Sequence, residues 1–200
     1  MHFNKAAADV VAFHVKFGLN PISLGGSPEF KLRYDRLVEE LDEIQEAIDE
    51  NDKAKFLDAL VDTIYIAVGT LYLYDETDWF KNEFDYPVKP GVEPCSWMAK
   101  FDVDGLTSYF TNDVATHCRH LPALVNHILV WAANYNWPLD EAWDEVQRAN
   151  MSKERAKPDA SDSKHQSSQD IVKPAGWTAP DINKVVEWHS TNGGQQELDV

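Results

Sequence analysis

The sequence predicts an all-α protein, a helical bundle carrying one irregular insertion and a C-terminal strap, and three observations carry that prediction. Apolar residues recur in blocks at helical spacing instead of alternating. The blocks are punctuated by residues that start or stop helices, notably Ser27-Pro28, Asn51-Asp52 and Pro138. One block, Leu57 to Leu73, is apolar round nearly its whole circumference, which is the pattern of a helix buried among others.

Taken in order, a first amphipathic helix is expected from about Asn4 to Phe17, with Val10, Val11, Phe13, Val15 and Phe17 apolar and Gly18 as its stop. Leu19 to Ser27, with Asn20-Pro21 and Gly25-Gly26, reads as a loop. Ser27-Pro28-Glu29 reads as a helix start, with proline at the first helical position, where its missing N–H costs nothing. That helix should reach Glu50, break at Asn51-Asp52, and be followed by another from about Lys53 to Tyr74. Residues 76–120 read as an irregular insertion, rich in aromatics such as Trp79, Tyr86 and Trp97, with one short helix near Leu106. Leu121 to Tyr135 is an apolar helix, and Pro138 opens the next, Leu139 to about Lys153. The polar stretch Lys157 to Asp170 reads as an exposed loop. Trp177 to Ser190 reads as an extended strap leading into a short helix, with a frayed tail over 191–200. A chain of 200 residues with 44% apolar content is expected to form a single domain.

The formal charge is −16, and such a surface repels nucleic acid polymer and anionic membranes, so neither is expected as a partner. No stretch approaches 18 uncharged apolar residues, so no membrane-spanning helix is expected. The first residues do not read as a signal peptide, and two cysteines cannot make a disulfide framework, so a cytoplasmic location is expected. An anionic small ligand would need the field reversed locally. Divalent cations do this, because carboxylates collect the cation and the cation collects phosphates.

The carboxylates are placed for such a role. On a helical wheel Leu37, Leu41, Ile44 and Ile48 form an apolar stripe, and Glu40 sits at its edge. Glu43 lies one step further round, with Glu39 beside it, while Asp42 and Glu46 point outwards. In the next helix Asp58, Asp62 and Gly69 share one direction within an otherwise apolar circumference. A lone buried carboxylate costs several kcal/mol unless paired, protonated or metal-bound. One or two divalent cations between the helices would satisfy both sets. Oxygen-only ligands favour Mg²⁺ or Mn²⁺ over zinc. The blander alternative is that Asp58 caps its helix and all five acids line a solvent-filled groove. A zinc site from Cys95 and His117-Cys118-x-His120 lacks a standard spacing, and a di-iron centre would need a Glu-x-x-His pair, which neither acidic helix has.

These residues resemble the all-α NTP pyrophosphatases, the superfamily of MazG, dimeric dUTPases and phosphoribosyl-ATP pyrophosphohydrolase. The first half of the family motif E-E-x-x-E…E-x-x-D stands here as Glu39-Glu40-Leu41-Asp42-Glu43. The second half departs, with Ala59 three residues before Asp62 and the acid Asp58 four before. The 58–69 segment is similar to the variant in phosphoribosyl-ATP-pyrophosphohydrolase-like proteins, many of them from phages. Phe13-His14 with Phe17-Gly18 resembles that group's first helix. The run from Glu145 to Lys153 resembles its V-x-x-S-N-M-S-K block with Ala149 for the usual serine, and Lys173 to Asp181 resembles its strap.

The resemblance implies Mg²⁺-dependent hydrolysis of a nucleoside triphosphate to monophosphate and pyrophosphate, in nucleotide-pool remodelling or sanitation. It implies that Glu40, Glu43 and Asp62, with Asp58 and Glu39, hold the metal, and that Glu39 or its neighbour Glu40 orients or deprotonates the attacking water. Asn150 and Lys153 become candidate substrate contacts. Arg36 either touches phosphate or pairs with Glu40 or Asp35, and the pairing is favoured. His14 either meets a base or packs at a helix interface, and the packing is favoured. A homodimer or homotetramer is expected, in a host cytoplasm if the chain is viral. A purine such as dGTP is as acceptable as dUTP or dCTP. The competing class is a non-catalytic acidic metal- or partner-binding helical protein, which would not need two aspartates within an apolar helix.

Overall fold

The computed structural model describes residues 3–19, 28–74, 114–163 and 170–192. Among these, six helices and one pair of two-residue strands run in the order α1 (Phe3–Lys16), α2 (Pro28–Glu50), α3 (Lys53–Leu73), α4 (Val114–Asn134), α5 (Leu139–Met151), β1 (Glu154–Arg155), β2 (Ile171–Val172) and α6 (Ile182–Asn192). The all-α expectation holds. The 20–27 loop, most of the insertion with its expected short helix, Cys95 and the tail beyond residue 192 lie outside the described residues.

Asparagines shape both interhelical turns. Asn51 and Asn136 adopt left-handed φ of 54° and 51°, a conformation asparagine tolerates well among non-glycine residues. Each turn then folds the chain back onto the helix it leaves, through Asp52 N–H to the Ala47 carbonyl at 2.9 Å and Trp137 N–H to the Ala132 carbonyl at 2.8 Å. Asp52 immediately caps α3, its Oδ1 accepting from Ala54 N–H and Lys55 N–H at 3.0 Å each. So short a connection makes α2 and α3 antiparallel neighbours.

Leu37, Leu41, Ile44 and Ala47 bury one stripe of α2, and α3 lies at the centre of the bundle, packed on α1, α2, α4, α5 and α6. Phe56, Leu57, Leu60, Val61, Ile64, Val68 and Leu71 of α3 are wholly buried. By length and composition α3 could cross a membrane, against the expectation that no segment could, yet 72% of its most apolar window is buried within the protein. Its apolarity serves the core. An aromatic seam joins α1, α3 and α5. Tyr65 stacks on Trp143 at 5.4 Å and meets the Phe13 ring edge-on at 5.4 Å, and the Trp143 indole N–H donates to Asp9 Oδ2 at 2.8 Å.

Boundaries differ from expectation at α4, at α5 and at the end of α6, which includes residues 191 and 192 that were expected in the frayed tail. The helix expected from Leu121 begins at Val114, inside the stretch read as irregular, and carries Pro122 in its interior. Proline forgoes a backbone bond there, and complete burial of Leu121, Leu124, Val125 and Ile128 offsets the loss. His117-Cys118-x-His120 therefore lies on helix. The helix α5 stops at Met151 with Ser152 as its cap, and β1 follows at once, pairing antiparallel with β2 as Glu154 to Val172 and Arg155 to Ile171. Two-residue strands show too little alternation to be legible beforehand.

Candidate metal and phosphate site

The α2–α3 hairpin sets the register of the acids. Counted back and forward from the Asn51-Asp52 turn at 1.5 Å per residue, Glu43 comes level with Asp58 and Glu40 with Asp62, each to within about 3 Å. The electrostatics follow that register. Glu40 is half-buried, with an Oε2 that is sealed from solvent and has no hydrogen-bond partner. Burial pushes its pKa up to about 9, helped by the charge of Asp62 and then by Glu43, Glu39 and Asp58. Burial likewise raises Asp62 to about 7, with Asp58 adding to the rise and Lys153 opposing it. Burial raises Asp58 too, against the pull of Lys153 and Lys173. Glu43 is more exposed and is raised by partial burial, then by Glu39 and Asp58. Glu39 stands at the exposed side.

Glu40, Glu43, Asp58 and Asp62 are thus brought together, and Asp58 is not a helix cap, since Asp52 does that work. Among the described residues no three carboxylates or imidazoles already stand at ligand spacing round one point. The donors converge without being closed. Their chemistry nevertheless fits a hard divalent cation: oxygen donors only, a buried orphan oxygen, burial that raises all four pKa values, and repulsion by neighbouring acids that adds to the rise at Glu40, Asp62 and Glu43.

The facing wall is cationic. Lys153 leaves the end of α5 half-buried, its pKa lowered by burial while Asp62 and Asp58 pull it back. Asn150 is buried beside the Tyr65 hydroxyl. Arg36 contributes its charge near Lys153, but the favoured pairing does not form: Asp35 pairs with Lys31 and the Glu40 Oε2 is unpartnered. Lys173, which the residue-by-residue reading did not single out, comes from β2's far end and reaches the field of Asp58 and Asp62. Only its place in the strap motif hinted at it.

His14 does not join the acids. It packs at a helix interface, the reading favoured from sequence, and is 2% exposed beside Gly69, two turns along α3 from Asp62. Its Nδ1 lies 2.8 Å from the Val10 carbonyl, which can only accept, so Nδ1 carries the proton and the buried Nε2 is a bare acceptor. Burial and then Arg33 depress its pKa to about 4, so it is neutral at physiological pH. Arg33 was missed, although it stands one turn before Leu37 on the same apolar stripe. Its Nε donates to Thr70 Oγ1 at 2.8 Å and its Nη2 to the Ile66 carbonyl at 3.0 Å.

Gly69 is the notch that admits both side chains. A Cβ there would lie 2.4 Å from Arg33 Nη2 and 2.8 Å from His14 Cε1. Arg33 is tied by two hydrogen bonds and cannot retreat freely. Gly69→Ala should therefore destabilise the protein by about 1–3 kcal/mol through overpacking, read as an earlier denaturant midpoint. An unchanged midpoint would show that Arg33 moves aside without cost.

Residues 24–75 match the family model described as phosphoribosyl-ATP pyrophosphohydrolase, a MazG-like all-α NTP pyrophosphatase family. The match spans α2 and α3, with all five acids, and leaves Asn150, Lys153 and Lys173 outside it. The chain is also similar to uncharacterized protein L479 of Acanthamoeba polyphaga mimivirus, at 24% identity over 168 residues, 73% of this chain. It spans 64% of that relative's length. No solved structure matches.

Proposed function

Because its α2–α3 hairpin matches the phosphoribosyl-ATP pyrophosphohydrolase family, we propose that this protein hydrolyses a nucleoside triphosphate between the α and β phosphates, with Mg²⁺ or Mn²⁺ as cofactor. The observation that carries the reading is the sealed, unpartnered Oε2 of half-buried Glu40, level with Asp62 and opposite a wall of lysine. Glu40, Glu43, Asp58 and Asp62 would hold the cation, which when bound supplies charge neutralisation at the phosphates and a more acidic water. Glu39, at the open side, takes the proton of the attacking water. The water oxygen bonds to the α-phosphorus, the α–β bridging oxygen departs with the pyrophosphate, and Lys153 offsets the charge that develops there. Asn150 and Arg36 flank the polyphosphate path, and neutral His14 shapes the far end of the groove through Gly69 rather than meeting the phosphates.

The role is nucleotide-pool remodelling or sanitation on deoxynucleotides, with a purine such as dGTP on an equal footing with dUTP or dCTP. Phosphoribosyl-ATP is less favoured, since Ala59 replaces the second motif's usual acid and the chain carries a long insertion. Incubating each dNTP and NTP with the protein and Mg²⁺, and separating the products, tests this. Monophosphate and pyrophosphate in equal amounts are expected for at least one substrate. Diphosphate with orthophosphate, or no turnover across the panel, would overturn it. Assembly into a homodimer or homotetramer belongs to the same proposal, and a monomer by light scattering at micromolar concentration would remove it.

A further inference from the structure

The strap between β2 and α6 is fastened more firmly than a surface connection requires. Arg148 of α5 donates to Thr178 Oγ1 and to the Ala179 carbonyl, both at 3.1 Å, while Glu145 binds Arg148 at 2.8 Å and accepts from Asp181 N–H at 3.3 Å. The Trp177 indole N–H donates to the Ala149 carbonyl at 2.8 Å, which fixes the ring against the end of α5. Over that ring stand two ammonium groups, Lys173 Nζ at 4.4 Å from its centre and Lys153 Nζ at 5.9 Å. Neither lysine makes an ion pair with a carboxylate among the described residues. Two like charges are thus held side by side by one aromatic face, close enough to the acids to feel Asp58 and Asp62 and yet not bonded to them.

We propose that Lys173 is a second polyphosphate-binding ammonium beside Lys153, and that Trp177 is the positioning residue that aims both at the tail of the substrate. This rests on the hydrolase reading above. A triphosphate carries more negative charge than one divalent cation cancels, and the two ammonium groups supply the remainder where the acids cannot. The strap thereby becomes part of the binding site, although it lies beyond the segment that matches the family model.

Lys173→Met is expected to raise KM for the preferred triphosphate about tenfold while kcat stays within about threefold, because the contact is made equally in ground and transition states. Inhibition by inorganic triphosphate should weaken by a similar factor, and inhibition by the nucleoside monophosphate should not change. Trp177→Leu should reproduce both effects. Trp177→Phe, which keeps a ring face beneath the lysines, should restore most of the loss, and Lys157→Met on the exposed loop should change neither. Unchanged KM and unchanged triphosphate inhibition in Lys173→Met would overturn the inference. So would a Trp177→Leu protein that loses thermal stability and kcat with KM intact. If the wild-type chain turns over no nucleotide, the hydrolase reading fails separately. Calorimetric binding of inorganic triphosphate with Mg²⁺ then decides this inference, and equal affinity in wild type and Lys173→Met would overturn it.

Discussion

Glu40→Gln and Asp62→Asn should each lower turnover about 10³-fold or more, while leaving the metal-free protein as stable as the wild type or more so. Ordinarily a loss-of-function substitution in a core helix destabilises. Here the two outcomes separate because the carboxylates are costly to the fold. Glu40 and Asp62 are raised by burial first and by neighbouring acids next, and the Glu40 Oε2 has no partner. An amide of the same shape removes the repulsion and can find local partners, a gain of about 1–3 kcal/mol at pH 8. It cannot hold a divalent cation with comparable strength. Denaturant unfolding in EDTA, set beside steady-state rates with Mg²⁺, reads both halves. A variant that is inactive and also markedly less stable would mean that these carboxylates serve the fold, and the site would lose its central members.

The second large effect is a reversal of the pH dependence of stability by metal. Glu40 and Asp62 hold their protons up to about pH 9 and about pH 7 when folded, well above ordinary carboxylate values. Between the ordinary values and these, the folded protein binds more protons than the unfolded chain. Stability from this pair is therefore present in full at low pH and is lost as pH rises through about 7 and then about 9. Mg²⁺ binds the ionised groups, so its stabilising increment should grow over the same interval. At a hundred times its dissociation constant that increment is about 2.7 kcal/mol. Tm measured in EDTA and in excess Mg²⁺ at pH 6 and pH 8.5 tests this, and the gap should widen by several degrees at the higher pH. The acids whose pKa values are lowered, half-buried Glu145 and exposed Asp159 among them, lose their contribution at much lower pH and leave this window clear. A gap that narrows with pH would contradict the arrangement.

The acid site was legible because its signals are local. A 3.6-residue period places Glu40 beside Leu37 and Leu41, and Asn51-Asp52 marks a turn that the structure confirms, so the antiparallel register of the four acids follows from counting. What escaped notice depends on contacts remote in sequence. Lys173 arrives through a hairpin of two-residue strands too short to show alternation. Arg33 sits on an apolar stripe, where a charge is expected only if something across the interface accepts it, and that something is the Ile66 carbonyl and Thr70 on another helix. Gly69 shared a direction with Asp58 and Asp62 on the wheel, but its purpose, admitting His14 and Arg33, needed the neighbours to be in place. Helix α4 was expected only from Leu121, where its apolar run begins, and its first turns, Val114 to His120, lie in the stretch whose composition reads as irregular.

Mn²⁺ titration followed by electron paramagnetic resonance addresses the shared cation without requiring any knowledge of the substrate. Wild-type protein should take up Mn²⁺, and replacing one acid from either helix, Glu40→Gln on α2 or Asp62→Asn on α3, should each weaken that uptake tenfold or more. Equal Mn²⁺ affinity in the wild type and in both variants would contradict a cation held between the two helices.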